Sequence, residues 1–282
     1  MPELPEVETV RRGMNATVVN RNIVSVDIGR ERSVRRVGKD AVVAGLTGTT
    51  ITSVRRRGKY LLCDLDSGDV MMIHLRMSGR VLVYDVGSAH PPHTHVVLHL
   101  RSHDGATTQL LFVDPRTFGE VVVYDPRDEA EVMPELSRLG VDPIEDDFSV
   151  DVLEKVLHGR RSAIKTLLLN QHIIAGIGNI YADEILHRCR LRWNRPANEL
   201  SRRQLSTLSS AITEVLSAAI EAGGSTLDDT QYVNVDGSFG GYQHEHRVYG
   251  RAGALCVTCG KSRIVRVAVA GRGTWYCPRC QR

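Results

Sequence analysis

Two Cys-x-x-Cys pairs near the end of the sequence constrain its fold more than any other feature. They are Cys256 with Cys259 and Cys277 with Cys280, separated by residues 260–276. Each pair turns two thiolates toward one point, so four sulfur atoms complete the closed, tetrahedral coordination of a structural zinc ion. A segment this short cannot bury a sufficient core, and metal binding therefore supplies its folding free energy. We predict a zinc-ribbon β-hairpin over residues 255–282 that holds one structural zinc ion.

Two other interpretations of these cysteines are a pair of disulfides and a catalytic zinc site. Disulfides are rare in cytoplasmic proteins, and four thiolates leave no open coordination position for catalysis. The sequence opens without the basic and apolar regions of a secretory signal, and it lacks a long apolar run that would span a membrane. We therefore expect a cytoplasmic protein. We expect the isolated Cys63 and Cys189 to be buried as small apolar residues.

The first half of the chain reads as a helix followed by many strands. Pro5 suits the first turn of a helix over residues 5–19, and Glu6 suits the positive end of its dipole. Residues 20–124 then contain short runs rich in Val, Ile and Leu that turn residues separate. This spacing favours a β-sandwich or a barrel. The clearest predicted strands cover residues 51–54, 60–65, 70–75, 81–84, 96–100, 110–113 and 121–124.

The second half reads as helices after an acidic, proline-containing connection around residues 125–147. Ser149 and Ser162 are good helix N-caps, and Ser201 with Gln204 forms the sequence pattern of a capping box. A Gly-rich turn at residues 176–178 leads into another helix. The predicted helices cover residues 149–158, 162–169, 179–189 and 201–222.

Charge is divided unevenly between the two halves. Residues 1–150 carry 18 Lys and Arg against 22 Asp and Glu, whereas residues 151–282 carry 18 against 11. A basic second half suits a polyanionic partner such as a nucleic acid. A solvated basic face without a partner produces the same pattern, so charge alone does not decide between them.

The N-terminal residues Pro2 and Glu3 form a potential catalytic pair. Removal of Met1 would leave Pro2 as a free secondary amine, and an α-amine has a pKa of about 7.7–8.0 against about 10.4 for Lys. A substantial fraction is then unprotonated at neutral pH and is able to attack an electrophilic carbon. Glu3 is placed to donate a proton. On composition alone, both residues read equally well as the lead-in to a helix.

Motifs along essentially the whole chain resemble those of the formamidopyrimidine-DNA glycosylase family. Each motif is modest by itself, but their order makes the resemblance highly specific. The terminal cysteine cluster completes the set. The matching segments are PELPEVE at residues 2–8, RGKYLL at 57–62, HLRMSG at 74–79, DPRTFG at 114–119, GIGNIYA at 176–182, GGSTL at 223–227 and VYGR at 248–251.

The resemblance implies a multi-domain α+β protein of bacterial type that acts as a monomer. It implies excision of 8-oxoguanine and ring-opened formamidopyrimidines from double-stranded DNA, followed by β,δ-elimination, with the DNA in a cleft between the halves. The expected parts are an N-terminal β-sandwich with a leading helix (1–130), a connection (131–148), a helix-two-turn-helix domain (149–228), a lesion-recognition loop and connection (229–254) and the zinc ribbon (255–282).

By resemblance, four residues carry the catalysis. Pro2 is the nucleophile that forms a Schiff base with the deoxyribose, and Glu3 protonates the opening sugar ring. Lys59 supports β-elimination and Arg272 supports δ-elimination. Read locally, Lys59 and Arg272 are ordinary exposed cations, and only the family match gives them a role.

The resemblance also assigns residues that contact DNA. Met77, Arg116 and Phe118 match residues that fill the space left by a flipped-out nucleotide, as an apolar wedge and a guanidinium can do. Asn179, at a helix N-terminus, suits a phosphate. By local propensity, Met77 and Phe118 would be core residues, although the turn-like setting of Phe118 favours a loop tip. The remaining implied DNA contacts are His74, His93, Arg160 and Lys165.

The sequence departs from the family pattern at two places. Arg76 stands where Gly usually precedes the wedge Met, which adds bulk and charge there. Residues 228–230 (Asp-Asp-Thr) replace a pattern that often contains a basic and an aromatic residue, which affects the expected lesion-recognition loop. Leu4 favours the purine-directed branch, because the related endonuclease VIII branch, which removes oxidised pyrimidines, tends to have Gly there.

Two further functional classes remain open from the sequence. One is a non-catalytic zinc-ribbon protein that binds damaged DNA and keeps only the scaffold. The other is an enzyme that uses an N-terminal proline as a general base, as tautomerases do. Tautomerases are small single-domain chains, and a zinc ribbon with a basic second half would have no explanation in one.

Overall fold

The computed structural model describes residues 1–227 and 232–282. These residues form two compact units, one comprising Met1–Arg138 with Ala222–Gly241 and the other Leu139–Glu221 with Tyr242–Arg282. The chain therefore returns to the first unit before it completes the second. Residues 232–241 of the predicted recognition loop fold with the first unit, whereas residues 228–231, which include the Asp-Asp-Thr departure, lie outside the described residues.

The helices agree with the sequence pattern in most positions. Helix α1 begins one residue earlier than predicted, and Ser149 caps α5 by accepting a hydrogen bond from the Val152 amide. A short helix over Lys39–Leu46 was not predicted. The helix bounds are α1 Leu4–Val18, α2 Lys39–Leu46, α3 Glu129–Val132, α4 Pro134–Ser137, α5 Val150–Leu157, α6 Ile164–Leu168, α7 Asn179–Arg188 and α8 Arg202–Glu221.

Ser162 does not open the helix that the sequence predicts there. The N-cap of α6 is Ala163, which is held by a bridge to Pro196, and the helix begins only at Ile164. Backbone pairing with a distant segment therefore sets this start in place of a side-chain cap. Ser201 and Gln204, in contrast, exchange the hydrogen bonds of a capping box at the start of α8, as predicted.

The strands confirm the predicted β-rich region and add one strand, β1, that was not predicted. The strand bounds are β1 Asn22–Ile28, β2 Ile51–Arg57, β3 Tyr60–Leu65, β4 Val70–His74, β5 Arg80–Asp85, β6 Thr94–Arg101, β7 Thr107–Val113, β8 Glu120–Tyr124, β9 Val265–Val269 and β10 Arg272–Tyr276.

In the first unit, antiparallel strands form two sheets with the orders β1-β6-β7-β5 and β2-β3-β4-β8. One apolar core contains residues of both sheets, such as Leu98 and Ile73, together with Val10 and Met14 of α1. A shared core between two antiparallel sheets is a β-sandwich. The predicted N-terminal fold with its leading helix is confirmed.

In the second unit, the helices pack around α7 and α8, and an antiparallel hairpin of β9 and β10 forms the zinc ribbon. The hairpin turn is Ala270-Gly271, and both residues have positive φ, at 48° and 77°. Such a turn matches the right-handed twist of the flanking strands. It places Arg272 at the first position of β10, with its side chain exposed. Among residues 1–227 and 232–282, no helix has the length and apolar character needed to cross a membrane.

Candidate functional site

The N-terminus is fixed by a carboxylate that bonds to two segments of the first unit. Pro2 and Glu3 are buried, and the amide of Glu3 donates to Glu6 Oε2 at 2.8 Å within a capping box. The other oxygen of Glu6 accepts the amide of Ser225 at 2.7 Å. Gly224 allows this approach, because a Cβ there would lie 2.9 Å from Glu6. The nitrogen of Pro2 therefore precedes a rigid helix start.

A second buried carboxylate connects α1 to the hairpin turn that carries Lys59. Glu8 Oε2 lies 3.2 Å from Arg56 Nε, and Arg56 also donates to the carbonyl of Gly58 at 3.1 Å. Burial by itself would raise the pKa of Glu8, but hydrogen bonds and charges, led by those of Arg11, outweigh it and lower that pKa. Glu8 is therefore an anion that holds the turn, and Lys59 follows it as a buried residue.

Two loops of the first unit carry the predicted void-filling residues, and hydrogen bonds connect them. We call them the wedge loop (residues 74–79) and the stacking loop (residues 114–119). Ser78 Oγ donates to Asp114 Oδ1 at 2.5 Å and accepts the amide of Arg116 at 3.3 Å. Asp114 Oδ2 accepts the amide of Gly119 at 2.7 Å. Asp114 is fully buried, so one carboxylate shapes the stacking loop and bonds it to the wedge loop.

The tips of both loops present apolar side chains to solvent. Met77 is 37% exposed and Phe118 is 43% exposed, so neither is a core residue. The guanidinium of Arg116 lies 5.2 Å from the centre of the Phe118 ring, within cation–π range. His93 is exposed, and its carbonyl accepts the amide of Asp114 at 3.0 Å. All three predicted void-filling residues therefore lie on these two connected loops, and the backbone of His93 is bonded to the start of the stacking loop.

Arg76 has a left-handed backbone, with φ at 53°, where an L side chain costs about 1–2 kcal/mol relative to Gly. Its guanidinium reaches Glu120 at 3.0 Å, and Arg35 and Arg36 bind the same carboxylate at 2.7 and 2.5 Å. Burial favours a higher pKa for Glu120, but hydrogen bonding and charge, led by those of Arg36, lower it. The guanidinium that Arg76 adds is thus held by a buried carboxylate, which it shares with two other partly exposed arginines.

His74 begins the wedge loop as a buried, neutral imidazole. Its Nδ1 accepts the amide of Arg76 at 2.9 Å, and its ring packs against Tyr60 with 4.3 Å between centroids. Burial, together with the positive charges of Arg76 and Lys59, holds the pKa of His74 well below its usual value. Any contact it makes with DNA is therefore that of a neutral donor.

In the second unit, Lys165 and Asn179 meet at the residue after Arg272. Lys165 Nζ donates to Gly273 O at 3.2 Å, and Asn179 Nδ2 donates to the same carbonyl at 3.0 Å. Lys165 Nζ also bonds to Thr274 Oγ1 at 2.8 Å and forms an ion pair with Asp183 at 2.7 Å. Lys165 is 3% exposed. This geometry argues against the predicted phosphate contact by Lys165 and indicates that it positions β10.

Two other predicted DNA-contact residues of the second unit, Arg160 and Asn179, lie near helix ends. Arg160 is exposed just after α5, and its Nε donates to the carbonyl of Val156 at 2.8 Å. Asn179 is the first residue of α7, whose N-cap is Gly178. Its backbone amide therefore belongs to the positive end of the helix, although its side chain is bonded to the ribbon.

The four cysteines have the geometry of a zinc site. Their sulfur atoms all lie within 4.8 Å of one another, and the Cys256–Cys280 and Cys259–Cys277 pairs are both separated by 3.8 Å. Four Zn–S bonds of about 2.3 Å in a tetrahedron place the sulfurs about 3.8 Å apart. Backbone amides, first that of Lys261, lower the pKa of Cys259 to about 6, which favours a thiolate ligand. The residues present fit one structural zinc ion.

Comparison with known protein families covers nearly the whole chain. Residues 1–121 match the model of the formamidopyrimidine-DNA glycosylase N-terminal domain. Residues 139–231 match the H2TH domain of the same glycosylase, and residues 253–282 match the zinc finger found in FPG and IleRS. A formamidopyrimidine-DNA glycosylase of Desulforamulus reducens is 41% identical over 100% of this chain and 99% of its own length.

The chain belongs to the formamidopyrimidine-DNA glycosylase family. A relative of that name from Cereibacter sphaeroides is 43% identical, with 100% of both chains covered. Solved structures of related glycosylases show that this family member also has the fold of the family. A complex of a mutant Lactococcus lactis FPG with Fapy-dG containing DNA has a TM-score of 0.89, with 34% identity over 100% of both chains. A complex of the Lactococcus lactis Fpg with an abasic site containing DNA has a TM-score of 0.88 at 34% identity.

Several functional contacts of this formamidopyrimidine-DNA glycosylase family protein were not predicted. The sequence indicated Glu6 only as a favourable charge at the helix start, whereas it bonds to Ser225 as well. The partners of Glu120 and Asp183 lie far away in sequence, so local patterns did not indicate the ion pairs of either residue. The one available signal was the position of Glu120, an acidic residue directly after the DPRTFG segment.

Proposed function

We propose that this protein is a bifunctional DNA glycosylase and abasic-site lyase that excises oxidised purines, 8-oxoguanine and formamidopyrimidines, from duplex DNA. The observation that carries this proposal is the buried N-terminal frame, in which Glu3 and Glu6 cap α1 directly after Pro2. The full-length match to glycosylases named for formamidopyrimidine supports the substrate class. The Fapy-dG containing DNA in the related Lactococcus lactis complex supports it as well.

The proposed reaction begins after Met1 has been removed, because the nitrogen of Pro2 is otherwise an amide. The flipped-out nucleotide presents its C1′, and the lone pair of Pro2 N forms a bond to it. The C1′–N bond to the damaged base breaks, its electron pair leaves with the base, and the base takes up the proton that the Pro2 nitrogen loses. Glu3 donates a proton to the ring oxygen as the C1′–O4′ bond opens, which gives an iminium ion between Pro2 and C1′.

The iminium then makes strand cleavage possible. It acidifies the protons on C2′, and loss of one of them expels the 3′ phosphate. A second elimination expels the 5′ phosphate. We assign support of the first elimination to Lys59, because Arg56 and Glu8 fix its turn relative to α1. We assign support of the second to Arg272, an exposed cation whose neighbour Gly273 is held by Lys165 and Asn179.

The proposed DNA contacts follow from exposure and charge. Met77 and Phe118 are exposed apolar groups on connected loops, suited to enter the space that the flipped nucleotide leaves. Arg116 beside Phe118 is suited to pair with the orphaned opposite base, a cytosine in the expected lesion pair. His93, Arg160 and the N-terminus of α7 at Asn179 are proposed phosphate contacts. Monomeric state and cytoplasmic location stay predictions.

Borohydride trapping on duplex DNA that contains 8-oxoguanine tests the proposal. A covalent protein–DNA adduct on the N-terminal peptide is expected, and an N-terminally extended form should give none. Pro5→Gly is the matched control, since it changes a proline of the same segment that is not the terminal amine, and it should still be trapped. An adduct on an internal side chain would refute the role of Pro2. Trapping only on oxidised pyrimidines would indicate the endonuclease VIII class, and binding without any adduct would indicate a non-catalytic protein.

A further inference from the structure

One face of α7 contacts the zinc ribbon at residues spaced four apart. Asn179, Asp183 and His187 lie on this face, since residues at i, i+4 and i+8 are neighbours along a helix. Asn179 Nδ2 donates to Gly273 O at 3.0 Å, and Asp183 Oδ2 accepts the amide of Trp275 at 2.9 Å. Both contacts hold the backbone of β10 and belong to the second unit.

His187 makes the third contact, and its partner is a zinc ligand. His187 Nε2 lies 3.5 Å from Cys256 Sγ, and the side chains of both residues are buried. Within the part of the chain that the structure describes, His187 Nδ1 has no hydrogen-bond partner. The two ring nitrogens therefore have very different surroundings, a sulfur atom on one side and no polar partner on the other.

These surroundings decide where the imidazole carries its proton. A proton on Nδ1 alone would leave a buried N–H without an acceptor and would direct the Nε2 lone pair at a thiolate. A proton on Nε2 instead gives an N–H···S hydrogen bond and leaves Nδ1 as an unpaired acceptor, which is the smaller cost. The same N–H is present if the ring is doubly protonated, so the contact does not depend on the charge of His187.

A hydrogen bond to this thiolate has a clear electrostatic effect. Four thiolates around a divalent zinc ion carry a formal excess of two negative charges, and Cys256, like Cys277, is a ligand with no solvent exposure. Burial of negative charge is costly without donors. Donors in the outer coordination sphere orient ligands and typically change metal affinity by about 10- to 100-fold when removed.

We propose that His187 is a positioning residue of the zinc site, whose Nε2–H donates to the Cys256 thiolate and slows the release of zinc. Together, Asn179, Asp183 and His187 align the zinc ribbon along one face of α7. Sequence reasoning missed this role because His187 lies 69 positions before Cys256. The proposal concerns the zinc site and stands apart from the proposed chemistry at Pro2.

A matched pair of variants tests it in the zinc-loaded, full-length protein. His187→Gln and His187→Met introduce side chains of similar size, of which only Gln offers an N–H. Zinc release to a chromophoric chelator should be about 10-fold faster in His187→Met than in the wild type, and close to wild type in His187→Gln. In Co²⁺-loaded protein, the thiolate-to-metal charge-transfer band of His187→Met should move to lower energy.

His246→Phe serves as the control for general destabilisation, because it alters another buried histidine of the same unit that packs against Tyr242 and Tyr249. It should leave the charge-transfer band in place. Equal release rates in the Gln and Met variants would overturn the proposal, as would an identical band shift in His246→Phe. If the Met variant does not fold, NMR of the ¹¹³Cd-loaded wild type still tests which ring nitrogen of His187 carries the proton. A proton on Nε2 with coupling to the metal is expected, and a ring protonated only on Nδ1 overturns it.

Discussion

Arg76 Nη2 and Glu120 Oε1 lie 3.0 Å apart, and this ion pair joins the wedge loop to the strand that follows the stacking loop. Glu120 is buried and surrounded by Arg35, Arg36 and Arg76. Replacement of a buried charge that has several partners leaves those partners uncompensated. The cluster is therefore expected to matter for stability more than an exposed ion pair does.

Glu120→Gln should destabilise the protein by about 2 kcal/mol, because the buried carboxylate loses charge-assisted hydrogen bonds, while solvent partly screens the three guanidinium groups left behind. Urea denaturation at neutral pH measures the effect. Glu135→Gln is the matched control, since Glu135 binds Arg36 but is 30% exposed, and it should cost at most about 1 kcal/mol. Equal losses in the two variants would contradict the importance of burial in this cluster.

The contribution of Glu120 to the stability of the folded protein should depend on pH. The pKa of Glu120 is lower in the folded protein than its ordinary value of 4.5, so the folded state binds its proton less readily than the unfolded state does. The stability that the carboxylate contributes is complete above pH 4.5 and is lost as the pH falls through the lower folded-state pKa. The difference in melting temperature between wild type and Glu120→Gln should narrow below pH 4.5. A constant difference at all pH values would rule out this contribution.

Phe118→Ala should slow excision of a damaged base from duplex DNA by about 10-fold, because stacking of a base on an aromatic side chain is worth about 1–3 kcal/mol. Its stability should change by at most about 0.5 kcal/mol, since the ring is 43% exposed. Single-turnover kinetics and thermal unfolding measure the two quantities. Val86→Ala removes another exposed apolar group of the first unit and should leave both unchanged. A large loss of stability in Phe118→Ala would show a core role instead.

Lys165→Met should destabilise the second unit by about 3–5 kcal/mol, because it leaves Asp183 buried without its cation. Burial already raises the pKa of Asp183, against the opposing charge of Lys165. The double variant with Asp183→Leu should recover part of the loss. Lys155→Met, at an exposed lysine of α5, is the control. If chemical denaturation gave the same stability for both single variants, the buried ion pair would have no structural role.

Ala270→Asn should stabilise the ribbon hairpin by about 1 kcal/mol, because Asn tolerates the left-handed conformation that Ala270 adopts at φ 48°. Ala270→Val should have the opposite effect, since a β-branched side chain is strained there. The melting temperature of the zinc-loaded protein is the measurement. The same order of stability for Asn and Val would contradict this account of the turn.

Local sequence patterns predicted most of the elements and the zinc site, because caps, turn residues and ligand spacing act over a few residues. Strand β1 escaped prediction because a bulge between Ile23 and Ser25 breaks its alternation. Helix α2 contains Gly45, which weakens the helical pattern but lets the helix approach Val123 closely. The buried ion pair of Lys165 with Asp183 also could not be predicted from the local sequence. A lysine in a short helix reads as a surface cation, and only the packing of α6 on α7 brings Asp183 to it.

The position of Glu6 has a consequence for how the enzyme reaches its working state. Its two carboxylate oxygens each hold a different stretch of chain, the amide of Glu3 and the amide of Ser225. Loss of the Ser225 contact would remove the protein donor of one of these oxygens. Docking of Ser225 is therefore coupled through one carboxylate to the backbone that directly follows Pro2, the nucleophile that we propose.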